Sequence, residues 1–160
     1  MRIGIGYDVH RWGGKGPIRL GGLSIPHAKG LLGHSDADVL LHAIADALLG
    51  AIGASDIGEQ FPSSDARWHG ADSGIFVERA VAQARRAGWS VGNVDATVIA
   101  DAPRLVGYKI KMAKTIGRLL SVASSDVSVK AKTTEGCCPA SKGIAAYAVV
   151  LLKPSPRKRK

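Results

Sequence analysis

The sequence predicts an α/β fold, an α+β sandwich in which one mixed four-stranded main sheet carries helices on one face. Three observations predict it. Segments with strand alternation and segments with helical spacing follow one another as strands, helix, helix, strand, helix, strand, the order of a layered sheet-and-helix domain. The 160 residues suit a single domain that buries a core without staples. The hydrophobic fraction is 46% while aromatics make up only 5%, so the core is built from Ala, Val, Ile and Leu.

Residues 2–8 alternate and begin a strand. Glycines 13, 14 and 16 make a loop, and residues 18–25 are extended again, with a bend at Gly21-Gly22. Residues 26–36 read as loop. A helix is expected over 37–51, with Leu40, Ala43, Ala47 and Leu48 near helical spacing and Ser35 or Asp36 as N-cap. Residues 53–71, rich in Gly, Pro, Ser and Asp, are expected to be irregular. Asp72 or Ser73 caps a second helix over about 74–87, which Gly88 ends. A strand over 92–100, a loop over 101–107 and a third helix over about 108–121 follow, then a strand over 126–133, a loop over 134–143 and a final buried strand over 144–152. Lys153 to Lys160 holds two prolines, dense positive charge and no apolar periodicity. The folded domain is therefore expected over 1–153, with a solvated basic tail over 154–160.

The formal net charge of +9 suits an anionic ligand such as a phosphate or nucleotide. Nucleic acid is not the expected partner, because the last four residues alone are all basic and belong to the tail. The two cysteines, Cys137 and Cys138, are adjacent; neighbours do not easily meet disulfide geometry, and a reducing cytoplasm fits. The N-terminus lacks a signal-peptide layout, and no apolar run approaches the roughly 20 residues that span a bilayer. A cytoplasmic location and no membrane association are expected.

Asp8 and His10 stand two apart on a strand, so alternation puts both side chains on one face. His42, in the first helix, has Asp38 four residues before it and Asp46 four residues after. One of those carboxylates could accept a ring N–H and leave the other nitrogen for a metal. Two His and one Asp leave an open coordination position, the arrangement of a catalytic zinc. The spacing equally allows His42 to be a core histidine and Asp8 to cap a turn. The loop Gly33-His34-Ser35-Asp36-Ala37-Asp38 precedes a helix whose free N–H groups favour an anion, or Ser35 simply caps that helix. The acidic segment from Asp56 to Asp65 could bind sugar hydroxyls or be a solvated connector. Thr133-Thr134-Glu135 offers hydroxyls to a phosphate and a carboxylate to a hard cation, or is a polar strand end.

Together these segments resemble a known family. Gly6-Tyr7-Asp8-Val9-His10, the run from Gly33 to Ala43 (GHSDADVLLHA), Asp56-Ile57-Gly58, Phe61-Pro62, Gly70-Ala71-Asp72-Ser73, Asn93-Val94-Asp95, Ala102-Pro103 and Lys130-Ala131-Lys132-Thr133-Thr134-Glu135 are similar to the signature of the 2-C-methyl-D-erythritol 2,4-cyclodiphosphate synthases, over about residues 2–152. The resemblance implies an enzyme of the non-mevalonate isoprenoid pathway, a phosphorus–oxygen lyase. Its substrate would be 4-diphosphocytidyl-2-C-methyl-D-erythritol 2-phosphate, closed to the cyclic diphosphate with release of CMP. It implies zinc on Asp8, His10 and His42, with manganese or cobalt also accommodated, and magnesium or manganese on the diphosphate through Glu135. His34 and Thr133 would stabilise the transition state. Asp56 and Gly58 would hold the methylerythritol part, with Ser35, Ile57, Phe61, Pro62 and Asp65 also in the substrate set. Ala100, Ala102, Pro103, Arg104, Leu105 and Ala131 would hold the cytidine end with Thr133, beside Lys132 and Thr134. A homotrimer with active sites between subunits is the implied assembly.

The sequence departs from the family pattern after Glu135. There the family carries a Leu-Gly-Phe-Thr-Gly-Arg-like run and then Gly-Glu-Gly. Here Gly136-Cys137-Cys138-Pro139-Ala140-Ser141-Lys142 leads to Gly143, and Lys142 stands for a phosphate-binding arginine without its bidentate geometry. Ser63 replaces an aspartate and Arg104 a lysine. The rival reading is a catalytically impaired trimeric nucleotide-binding protein of the same fold.

Overall fold

The structure is a computed structural model that describes residues 1–136 and 142–155. The chain runs β1 (Arg2–Lys15), β2 (Ile18–Leu20), β3 (Leu23–Ile25), β4 (Lys29–Leu31), α1 (Val39–Ala51), α2 (Ile57–Gln60), α3 (Gly74–Arg86), β5 (Trp89–Ile99), α4 (Lys109–Leu120), β6 (Val127–Lys132) and β7 (Gly143–Pro154). Short 3-10 turns sit at Ala66–Trp68 and Ser124–Asp126.

The main sheet has five strands in the order β4-β1-β7-β5-β6, and β2 and β3 form a hairpin of their own. Only β5 and β6 are parallel, joined through α4; the other pairs are antiparallel. The predicted mixed sheet with helices on one face is present, with one strand more than expected. The extra strand is β4, which lies in the segment read as loop. It pairs with the far end of β1, Trp12 opposite Leu31, and so carries β1 to Lys15, through Gly13 and Gly14, which were read as loop. The segment 53–71, expected to be irregular, contains α2 and a 3-10 turn.

Helix α1 sets the geometry of everything above the sheet. Of its 13 residues, 11 are buried, and each buried Leu or Ile contributes about 1.5–3 kcal/mol by leaving water. It packs on β1 and β7, with α3 against α1 and β5 and α4 against β6. The approach to β1 is close because Gly4 and Gly6 face it. A Cβ at Gly4 would lie 1.9 Å from the Ala47 carbonyl oxygen and one at Gly6 2.0 Å from that of Ala43. Glycine is thus the only residue that fits between strand and helix there.

Alternation along β1 leaves its other side bare. Ile3, Ile5, Tyr7 and Val9 are exposed, as are Tyr147 and Val149 on β7. The final strand, expected to be buried, is therefore buried on its helix-facing side while Tyr147 and Val149 are open on the other. It also runs through Lys153 and Pro154, which pair with Ser90 and Trp89, so the strand includes the first residue of the predicted tail. Ser155 N–H adds a bond to the Gly88 carbonyl. Residues 156–160, and with them most of the predicted tail, lie outside the described residues, as does the cysteine pair.

Candidate metal centre and two cavities

The side of β1 that carries Gly4 and Gly6 also carries Asp8 and His10, so strand alternation aims both toward α1. His42 projects back from the first turn of that helix. Three atoms meet: Asp8 Oδ2 lies 2.9 Å from His10 Nε2 and 2.9 Å from His42 Nδ1, and the two nitrogens are 3.2 Å apart. Tetrahedral zinc with ligands at about 2.0–2.1 Å requires ligand–ligand edges of about 3.3 Å. The triangle matches that size, and its His₂Asp donor set is one that a borderline divalent ion takes. Among the described residues, this is the group of His, Cys, Asp and Glu arranged to hold a metal.

Each imidazole is held by its other nitrogen. His10 Nδ1–H donates to the Leu32 carbonyl at 2.6 Å, which leaves Nε2 as the free lone pair. His42 Nε2 lies 2.8 Å from Ser73 Oγ and 3.1 Å from Ser35 Oγ. Ser73 in turn donates its hydroxyl proton to Asp36. The serine therefore accepts the His42 Nε2–H and fixes the tautomer that presents Nδ1 to the metal.

The predicted partners of His42 are elsewhere. Asp38 is fully buried, and its carboxylate accepts from the backbone N–H groups of Gly21, Gly22 and Leu41. It is the N-cap of α1, a role expected of Ser35 or Asp36, and its own carboxylate fills the anion position at the helix start. Burial raises its pKa. Asp46 accepts from Ile57 N–H at 2.8 Å and so ties α2 to α1. The i±4 spacing places both acids near the histidine along the helix, but backbone donors from other segments claim them first. Ser73 opens α3 by position without capping it through its side chain; Asp72 bonds Gly74 N–H instead.

The electrostatics fit a cation site. Burial works against ionisation of Asp8, but the hydrogen bonds and charges of His10 and His42 outweigh it and hold the carboxyl well below the usual range. Burial lowers the His10 pKa, and the Asp8 bond and charge more than reverse this, so it lies above that of a free histidine.

His10 and His42 open on a cavity of about 200 Å³ whose walls include His34, Ser35, Ile57, Gly58 and Phe61 of the predicted set. Ser63, within the 56–65 segment, lines it as well, and so do Trp68 and Phe76, to which sequence reasoning assigned no role. A second cavity, of about 500 Å³, lies at the ends of β5 and β6. It gathers Ala100, Pro103, Arg104, Leu105, Ala131, Lys132 and Thr133 of the predicted set with Asp101 of the same 100–105 loop, and adds Val106 and Lys109. Within the single chain the predicted residues thus fall into two separate groups.

Several predicted residues line neither cavity. Asp56 caps α2 through Glu59 N–H, and Pro62 follows that helix. Asp65 is engaged by the Arg67 guanidinium and backbone N–H. Thr134 is buried, with its hydroxyl and N–H on Asp101, which these bonds keep below the usual carboxylate range. Ala102 forms a cis bond to Pro103. Glu135 accepts from the Thr133 hydroxyl, and Lys142 is exposed at the near side of residues 137–141, which lie outside the described residues.

The whole domain has relatives. Residues 1–153 match the YgbB family. The chain is 51% identical over 154 residues to the 2-C-methyl-D-erythritol 2,4-cyclodiphosphate synthase of Xylella fastidiosa, covering 95% of this chain and 88% of that protein. It superposes on a solved 2-C-methyl-D-erythritol 2,4-cyclodiphosphate synthase in its CDP-bound form with a TM-score of 0.89 at 37% identity, over 95% of this chain and all of that one. The CDP complex of Plasmodium falciparum IspF superposes with a TM-score of 0.83 at 36% identity, over 97% of each chain.

Proposed function

This chain belongs to the YgbB family, and we infer from that membership that it is a 2-C-methyl-D-erythritol 2,4-cyclodiphosphate synthase of non-mevalonate isoprenoid biosynthesis. It converts 4-diphosphocytidyl-2-C-methyl-D-erythritol 2-phosphate to the cyclic diphosphate. An oxygen of the 2-phosphate forms a bond to the β-phosphorus. The bond from that phosphorus to the bridging oxygen breaks, and CMP leaves with the bridging oxygen on its phosphate. The observation that carries the reading is the triangle of Asp8 Oδ2, His10 Nε2 and His42 Nδ1 at the mouth of a cavity.

Asp8, His10 and His42 would hold a divalent ion, zinc first and manganese or cobalt as alternatives, and Glu135 a magnesium or manganese ion on the diphosphate. Such ions supply Lewis-acid neutralisation of phosphate oxygens. The chain's own residues do the rest, which is mainly positioning, because both reacting groups are anionic and must be folded toward each other. His34, in the wall of the metal cavity, would bond a phosphate oxygen, and so would the Thr133 hydroxyl in the wall of the second cavity. Asp56, Ile57 and Gly58 would hold the methylerythritol hydroxyls, with Ser35, Phe61, Pro62 and Asp65 around them. The 100–105 loop, Ala131, Lys132 and Thr134 would frame the cytidine, with Lys142 toward its phosphates.

The two cavities and the bare apolar sheet face support a homotrimer in which one subunit's metal cavity meets another's nucleotide cavity. No helix among the described residues is long and apolar enough to cross a membrane; a cytoplasmic location and the absence of a nucleic-acid partner belong to the same reading, as does a domain over 1–153 with a basic tail over 154–160.

Phosphorus NMR of the protein with substrate and Mg²⁺, beside His42→Ala, tests the function. Cyclic diphosphate plus CMP from the wild type, and neither from the variant, is expected. Metal-loaded, folded wild-type protein that yields no product would favour the nucleotide-binding alternative; an open-chain phosphate would mark a phosphohydrolase.

A further inference from the structure

The chain holds only two phenylalanines and three tryptophans. Both phenylalanines and one tryptophan meet in the wall of the metal cavity. Phe61 lies tilted by 30° against Phe76 at 4.7 Å between centroids and meets Trp68 edge-on at 5.2 Å, while Trp68 and Phe76 are 5.9 Å apart. Phe76 also lies 5.7 Å from the metal-site His42. The wall is therefore continuous with the metal centre.

Its outer part is tied to the neighbouring helices by single bonds, Ile57 N–H to Asp46 of α1 and the Gln83 amide of α3 to the Gln60 side-chain oxygen. Phe61 directly follows α2, a four-residue helix with no buried residue. Phe61 lines both the metal cavity and a second groove that holds Arg79, Gln83 and Arg86 of α3. Arg79 stands one turn after Phe76 on that rigid helix. Its guanidinium carbon is 4.7 Å from the Trp68 ring centroid and 5.8 Å from that of Phe61, both inside the range of a cation–π attraction. Among the described residues Arg79 forms no hydrogen bond or ion pair. Arg67, also near Trp68 at 5.4 Å, is bound to Asp65.

We propose that Arg79 is a positioning residue for substrate binding: its guanidinium clamps Phe61 and Trp68 from the groove side and keeps the aromatic wall of the metal cavity closed against the methylerythritol end of the substrate. The proposal rests on the synthase reading. Arg79 touches the wall and not the reacting atoms, so it governs affinity for the whole substrate and leaves the cytidine pocket, at the far ends of β5 and β6, untouched.

Zinc-loaded wild type, Arg79→Leu and Arg79→Lys decide it. Substrate Kd without Mg²⁺, CDP Kd, KM and kcat are measured on each. Loss of a cation–π contact to two rings predicts that Arg79→Leu raises substrate Kd and KM about fivefold. It leaves kcat within about twofold, as expected when uniform binding is removed, and leaves CDP affinity unchanged. Arg79→Lys recovers most of the loss. Unchanged substrate affinity in Arg79→Leu overturns the proposal. So does a parallel fall in CDP affinity, which marks general loosening. A wild type that binds substrate without releasing CMP counts against the synthase reading alone, because the affinity ratio between wild type and Arg79→Leu still decides the role of the clamp.

Discussion

His42 is held from two directions, by Asp8 and His10 at Nδ1 and by the Ser35 and Ser73 hydroxyls at Nε2. Ser73 makes the shorter bond and is itself aligned by Asp36, so it is the group that decides which nitrogen carries the proton. Replacing such a partner typically costs 10–100-fold in metal affinity. Ser73→Ala is therefore expected to weaken zinc binding by about that factor in a chelator competition, with the helical signal of the protein unchanged; affinity equal to wild type would mean that Ser35 alone suffices. Any metal here binds against a proton, since the His10 pKa is raised by its bond to Asp8, and affinity falls as the pH falls below that pKa. The candidate triad was legible in the sequence through the family motifs that hold Asp8, His10 and His42; spacing alone, two residues on one strand face plus a helical histidine, left a core histidine and a turn cap open. Ser73 was not, because 31 residues separate it from His42 and its position at the start of α3 gave it a sufficient local role as a cap. Asp38 failed in the opposite sense: its spacing suited His42, but the hairpin turn at Gly21-Gly22 brings two backbone donors that no local rule anticipates.

At the level of elements, the site exists because α1 can sit almost against β1. Gly6 is the closest glycine to the ligand pair in sequence, two residues before Asp8, and a Cβ there would fall 2.0 Å from the Ala43 carbonyl oxygen. Gly6→Ala must push the helix off the strand, and overpacking against backbone costs about 3 kcal/mol. That predicts a fall in melting temperature of roughly 6–12 °C for a domain of this size together with weaker zinc binding, since Asp8 and His10 move apart from His42. Calorimetry that shows no loss would mean the helix has slack the close contact does not suggest. The sequence marked Gly4 as part of an alternating strand and Gly6 also as the first residue of a family motif; their function is a distance between elements, which a one-dimensional pattern does not contain. The same limit hid β4, three residues whose strand character comes from pairing with Trp12 and Gly13 rather than from their own propensity.

For the whole molecule, the uncovered side of the sheet is the dominant fact. Ile3 and Ile5 are 70% and 68% exposed in the isolated chain, beside Tyr7, Val9, Tyr147 and Val149, a contiguous apolar surface of the kind that marks an interface. Tyr7 and Tyr147 already touch across β1 and β7, with ring centroids 4.7 Å apart and planes tilted by 39°. Light scattering on the purified protein is expected to give three times the 16.7 kDa of one chain. Ile5→Glu is expected to yield monomers that keep the fold, bind zinc and lose turnover, the outcome that the proposed trimer, with its sites between subunits, requires. A trimer that survives Ile5→Glu would place the interface elsewhere.

The sequence by itself determined the order of the main helices and strands and the composition of the core, because each rests on short-range regularities, period two in β1 and period 3.6 in α1; Asp8, His10 and His42 were singled out as metal ligands by the motifs they share with the family, spacing alone leaving a core histidine and a turn cap open. It also marked both walls of residues that the two cavities collect, through the motifs they share with the family. Only the tertiary structure decided which polar groups pair, that Ser73 rather than Asp38 or Asp46 serves His42, that Phe61, Trp68, Phe76 and Arg79 form one wall, and that one sheet face is left bare. The physical reason is common to all four: a hydrogen bond, a ring contact or a buried face belongs to whichever groups packing brings within a few ångströms, and packing joins segments tens of residues apart.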